Sequence, residues 1–169
     1  MKAATLELEP NPAASPQLLH VKKILVPIDF SGPSKKAFEY ALRFAQQFGS
    51  EIVLIHVLDP GANVGGTQVA GEFPPRSDDE VSIAEKNLQA LANSSWPSGT
   101  LYINSTVRAG AAAHEIIEAA EEFDVDLIIT ATHGLSGWKH FGMGNTAERV
   151  SRAASCPVLI VREKEHEFI

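Results

Sequence analysis

The chain has 169 residues, with 14 Lys and Arg against 21 Asp and Glu, for a formal net charge of −7. At 44% hydrophobic and 21% charged residues it has the length and apolar content of one globular domain, which excludes disorder throughout. A single cysteine, Cys156, excludes an internal disulfide framework, and the acidic balance argues against a broad grip on a nucleic-acid backbone.

Residues 1–20 carry Pro10, Pro12 and Pro16 and no apolar run, so a flexible tail is expected there. Without a signal-peptide core the expected compartment is the cytoplasm. No stretch approaches the roughly 18 apolar residues of a membrane span, so no membrane contact is expected.

Ile24-Leu25-Val26-Pro27-Ile28 is continuously apolar and stops at Asp29, as a strand buried on both faces does. Ala37, Tyr40, Ala41, Phe44, Ala45 and Phe48 then fall at helical spacing and end at Gly49. Ile52 to Val57 is a second buried strand. Asp59 to Asp79 reads as a long loop of about twenty residues, more than packing requires. A helix follows with Val81, Ala84, Leu88 and Leu91 on one face. Leu101 to Val107 reads as a strand, Arg108-Ala109-Gly110 as a turn, and Ala113, Ile116, Ile117 and Ala120 as a third helix face. Leu127 to Thr130 is a fourth strand. The loop Thr132 to Met143 leads to a helix carrying Ala147, Val150 and Ala154, and Pro157 to Val161 is a fifth strand. Residues 163–169 read as a charged tail, which leaves 21–162 as one α/β domain.

Strands that alternate with amphipathic helices imply a parallel sheet with helices on both faces. The periodicity does not itself set the strand order. Ligands in such sheets bind beyond the carboxyl ends of the strands, where the order reverses. The richest segment leaving such an end is Ala131 to Thr146, with four glycines from Gly134 to Gly144. Glycines at that density cost backbone entropy unless the chain shape needs them. Asn145 with Glu148 resembles a capping box, and a helix starting there aims free N–H groups at an anion. A plain loop with an ordinary helix cap fits the same composition equally well.

Together these fragments resemble the universal stress protein family of the UspA type. The resemblance is carried by Lys23 to Ser31, Leu54 to Val57, Val107 with Gly110, Asp126 to Ile129, Thr132 to Gly137, Gly144 to Val150 and Cys156 to Val161. It implies a five-stranded parallel sheet in the order 3-2-1-4-5 and a homodimer through the fifth strand, near Pro157 to Val161. It also implies an adenine nucleotide, ATP or AMP, held by Pro27, Ile28, Asp29, Val57, Gly110, Ala131, His133, Gly134, Gly144, Asn145 and Thr146. Mg²⁺ would come only with the nucleotide phosphates.

ATP-binding members show glycine, two residues, glycine, nine residues, then glycine followed by serine or threonine. Gly134 and Gly144 keep that spacing. Ala131 stands for the first glycine, adding a methyl expected to narrow the pocket, and Asn145 stands for the hydroxyl residue.

Other residues have simpler readings. His133 suits acid–base work by its ordinary pKa, but a single loop histidine is more often structural. His56, on an apolar strand, reads as a satisfied core histidine. His133, His140 and Asp29 match no standard zinc spacing, so no dedicated metal site is expected. Lys139 and Arg149 read as solvated charges, and Trp138 and Phe141 as packing for their loop. No acid–base pair or nucleophile arrangement marks an enzyme. Three functions therefore stand, in descending order: a dimeric stress-response sensor or regulator that binds ATP or AMP, a nucleotide-independent interaction module of the same fold, and a slow nucleotide hydrolase.

Overall fold

The structure is a computed structural model, and it describes residues 19–59, 78–95, 101–132 and 144–162. The elements run β1 (Lys23–Pro27), α1 (Gly32–Phe48), β2 (Glu51–Leu58), α2 (Asp78–Ser95), β3 (Ile103–Ala109), α3 (Ala112–Glu122), β4 (Leu127–Ala131), α4 (Asn145–Ala153) and β5 (Val158–Val161). All strand pairs are parallel, in the order β3-β2-β1-β4-β5. Residues 1–18 of the expected 1–20 tail, the expected tail at 163–169, and most of the long loop after Asp59 lie outside the described residues.

Burial on both faces explains the unbroken apolar strands. Ile24 and Val26 of β1 point to one face, with Ile52, Leu54, Leu127 and Ile129, under Phe38, Ala41 and Ala45 of α1 and Leu88 of α2. Leu25, Val53, Ile55 and Ile128 point to the other, under Ile116 and Ala120 of α3 and Val150 of α4. Alternation of side chains along each strand produces the two cores.

Local chemistry sets the ends of α1. Ser31 is its N-cap and accepts from the Ser34 N–H at 3.3 Å, with a proline in the first turn. Gly49 closes it at φ 71°, donating to the Ala45 carbonyl at 2.8 Å.

Several boundaries differ from expectation. Arg108 and Ala109 belong to β3 and not to a turn, because β2 runs on to Leu58 and pairs with them residue by residue. Phe38 and Leu42 are buried on α1, whereas Phe48, at the last turn, is 37% exposed. Ala154 is the extended C-cap of α4, and Pro157 precedes β5. The capping box at Asn145 is not formed either: Gly144 is the N-cap of α4 and Asn145 its first helical residue. The reason is that the Glu148 N–H closes the first helical turn on the Gly144 carbonyl, at 3.0 Å.

Candidate functional site

The chain passes from β3 on one side of the sheet back across β1 to β4, so the strand order reverses between β1 and β4. The carboxyl ends of those two strands flank the switch point. Pro27 pairs with Ile55, so Ile28 lies level with His56, and the β1–β4 register continued upward brings Ile28 level with Ala131.

The end of β1 is tightly organised. The Ile28 N–H donates to the Ile55 carbonyl at 2.8 Å, which carries the ladder one residue past the strand. Asp29 follows, half-buried, and its Oδ1 accepts from the Ser31 N–H at 3.0 Å and the Ser31 hydroxyl at 2.5 Å. Asp29 therefore supports α1 through the capping serine. Between them Phe30 has φ 65°, a left-handed conformation that costs a residue other than glycine about 1–2 kcal/mol.

The end of β4 meets the start of α4. The Gly144 N–H donates to the Thr132 carbonyl at 2.7 Å, and the Thr132 N–H donates to the Val161 carbonyl at 3.0 Å. Thr132 and Gly144 thus meet at one point on the carboxyl edge of the sheet. Gly144 offers no side chain to α4, and the N–H groups of the first helical turn have no intrahelical acceptors. Glu148 in that turn is paired with Arg152 at 2.9 Å, which offsets its charge near the positive end of the helix dipole. Asn145 and Thr146 are exposed, and Ala147 is buried.

Of the expected contact residues, Pro27, Ile28, Asp29, Val57, Ala131, Gly144, Asn145 and Thr146 all lie along this carboxyl edge. Gly110 lies there too, at the end of β3, with β2 between it and β1. Its φ is 154°, and a Cβ there would collide with Glu115 Oε1. His133 and Gly134, with Lys139 and His140, lie outside the described residues. Ala131 is 8% exposed and belongs to the core cluster under α1.

One contributor escaped the sequence reading. The Asp59 carboxylate accepts from the Ala112 N–H at 3.2 Å, capping α3 across 53 positions of sequence where its N-cap, Ala111, has no side-chain oxygen. An acid directly after a strand, like Asp29, was the available signal. His56, expected as a satisfied histidine on an apolar strand, is half-buried and its Nδ1 is bonded to the Ile28 carbonyl at 2.7 Å.

Cys156 is half-buried below β5, away from this edge. Burial pushes its thiol pKa up, and the nearby Asp126 charge adds to that. Among the described residues no group of three or more His, Cys, Asp or Glu is placed to hold a metal ion, and no helix is long and apolar enough to cross a membrane.

A model of the universal stress protein family matches residues 20–162. The chain belongs to the universal stress protein family. Universal stress protein MJ0531 of Methanocaldococcus jannaschii is 34% identical over 149 residues, covering 86% of this chain and 85% of the relative. The fold matches that of UspA from Lactobacillus plantarum with a TM-score of 0.71 at 21% identity, over 86% of this chain and all of the other. It also matches a universal stress protein solved in complex with cAMP, at a TM-score of 0.61, 20% identity and coverage of 86% and 100%. A further match is a universal stress protein from Archaeoglobus fulgidus solved with dAMP, at 0.59, 16% identity and coverage of 85% and 98%.

Proposed function

We propose that this stress protein binds an adenine nucleotide, ATP or AMP, across the carboxyl ends of β1, β2 and β4 and acts as a dimeric sensor in the cytoplasm. The observation that carries this reading is the Gly144–Thr132 hydrogen bond of 2.7 Å. It sets a glycine-capped helix N-terminus beside the switch point, where unpaired N–H groups and the helix dipole attract a phosphate. The net charge of −7 opposes an incoming anion, so these local donors must supply the attraction.

Asp29 would accept from the base or ribose. A carboxylate has about four acceptor positions, so a ligand can be served alongside Ser31. Val57 would contact the base through its backbone. The place of Ala131 in the core cluster under α1 supports a nucleotide at this edge despite the missing first glycine. Family members solved with cAMP and dAMP support the choice of adenine. Mg²⁺ would enter only as the companion of a polyphosphate. The edge position of β5, paired on one side by β4, supports dimerisation through that strand.

Asn145, where ATP-binding relatives carry serine or threonine, favours the monophosphate over the triphosphate, because one hydroxyl contact to a phosphate is absent. Calorimetric titration with AMP, ADP and Mg²⁺–ATP tests this. Saturable heat and a concentration-dependent rise in Tm are expected, with AMP at least as tight as ATP. No heat and no shift at millimolar nucleotide would leave the interaction module as the function. Sedimentation tests the dimer, and a strict monomer at micromolar concentration contradicts it.

A further inference from the structure

We infer that His56 is a positioning residue that sets where Asp29 lies, by gripping the chain on both sides of it. The inference rests on the nucleotide reading above for its consequence, but not for its geometry.

Ile28 is 2% exposed, so its carbonyl needs a protein partner. That partner is the His56 Nδ1, at 2.7 Å. A carbonyl only accepts, so Nδ1 carries the proton. Two residues further on, the Phe30 ring lies against the same imidazole, with centroids 4.8 Å apart and planes at 44°. Phe30 is one of two described non-glycine residues with positive φ, and such a conformation persists only where neighbours over-determine it. One side chain thus holds Ile28 by a hydrogen bond and Phe30 by ring contact. Asp29, between them, is tied forward to Ser31.

Strand alternation fits the arrangement. His56 and Val57 are adjacent on β2 and point to opposite faces, so Val57 packs with the α3 and α4 core while His56 faces the α1 side, where Phe30 packs. Leucine at 56 would keep the contact with Phe30 and orphan a buried carbonyl. Asparagine would return a donor near the Nδ1 position and lose the ring. The two substitutions therefore separate the hydrogen bond from the packing.

The test compares the full-length protein with His56→Leu and His56→Asn in two measurements. In the ligand-free state, nitrogen NMR of the imidazole should show the Nδ1-protonated tautomer. Amide exchange at Asp29 to Ser31 should be about five- to tenfold faster in His56→Leu and recover most of that in His56→Asn, with Ile52 and Ile128 unmoved. In an AMP titration, His56→Leu should bind about five- to tenfold more weakly, and His56→Asn within about threefold of the parent. A ring protonated on Nε2 alone, leaving Nδ1 bare, overturns the inference. So does unchanged exchange in His56→Leu, or failure of His56→Asn to rescue. If His56→Leu does not fold, the tautomer and the His56→Asn exchange decide. If the parent protein binds no AMP, the nucleotide reading fails, and the exchange data alone still decide the role of His56.

Discussion

The two ends of the sheet spend their polar groups differently. At the amino end they tie the starts of the strands to one another and to the end of α3. The Asp126 carboxylate accepts from the Lys22 and Lys23 N–H groups at 2.7 and 2.9 Å, and the Asp126 N–H donates to the Lys23 carbonyl. Lys23 Nζ donates to the Phe123 carbonyl at 2.7 Å, and the buried Ser50 hydroxyl to the Val21 carbonyl at 2.5 Å. At the carboxyl end the side chains hold loops and helix starts: Asp29 holds Ser31, His56 holds Ile28 and Asp59 holds Ala112. Positive φ does not separate the ends, since Phe30 and Gly110 have it at the carboxyl end and Asp124 and Gly49 at the amino end, but the carboxyl end holds the start of α4 without a side-chain cap. One end closes the sheet, and the other holds loops and helix starts with open donors, as a binding edge does.

The largest expected effect comes from breaking the amino end. Asp126→Ala removes two charge-assisted hydrogen bonds and should cost about 2–3 kcal/mol in urea unfolding, with AMP affinity unchanged. A large loss of affinity at equal foldedness would blur the division between the ends. Next is Gly110→Ala, which places a methyl against Glu115 in a backbone conformation that L-residues resist. A loss of about 1–2 kcal/mol is expected, and Glu115→Ala in the same chain should recover only the clash component. Full recovery would mean the positive φ costs nothing.

Ala131→Gly sharpens the comparison from the other side. Its methyl packs in the core, so the substitution should cost about 1 kcal/mol of stability and leave AMP affinity unchanged. A clear gain in affinity would place the methyl in the pocket. The smallest effect is at Cys156. Its raised pKa keeps the thiol neutral, so alkylation near pH 8 should be slower than for a free thiol. The sign follows from the folded state holding the proton more tightly. The thiol's contribution to stability is complete below the ordinary thiol pKa and is lost as pH rises through the higher folded value. Cys156→Ser should flatten that alkaline decline.

What could be read from the sequence divides along physical lines. Strands β1, β2 and β4 were legible because burial on both faces makes them continuously apolar, and α1 because its apolar spacing ends at Gly49. β3 was less so. As an edge strand it carries polar residues, and its penultimate Arg108 is held by Glu122 and the Phe123 ring, which a local window does not connect to it. The strand order came from family resemblance, since periodicity says nothing about which strands pair. At the site, Asp29 and the glycine-capped α4 were visible as residue types at strand and helix ends. The His56–Ile28 bond and the turned backbone of Phe30 were not, because both arise from pairing between β1 and β2. The direction of Ala131 was hidden for the same reason: the face a strand residue takes is set by its neighbours in the sheet.

The central claim is that an adenine nucleotide binds at the carboxyl end. It is tested most directly by amide chemical shifts of the nitrogen-labelled protein titrated with AMP. Saturable shifts are expected at Asp29, Val57, Gly144, Asn145 and Thr146, with Lys22, Lys23, Ser50 and Asp126 unmoved. Shifts centred on the amino end, or none at saturating nucleotide, would contradict it.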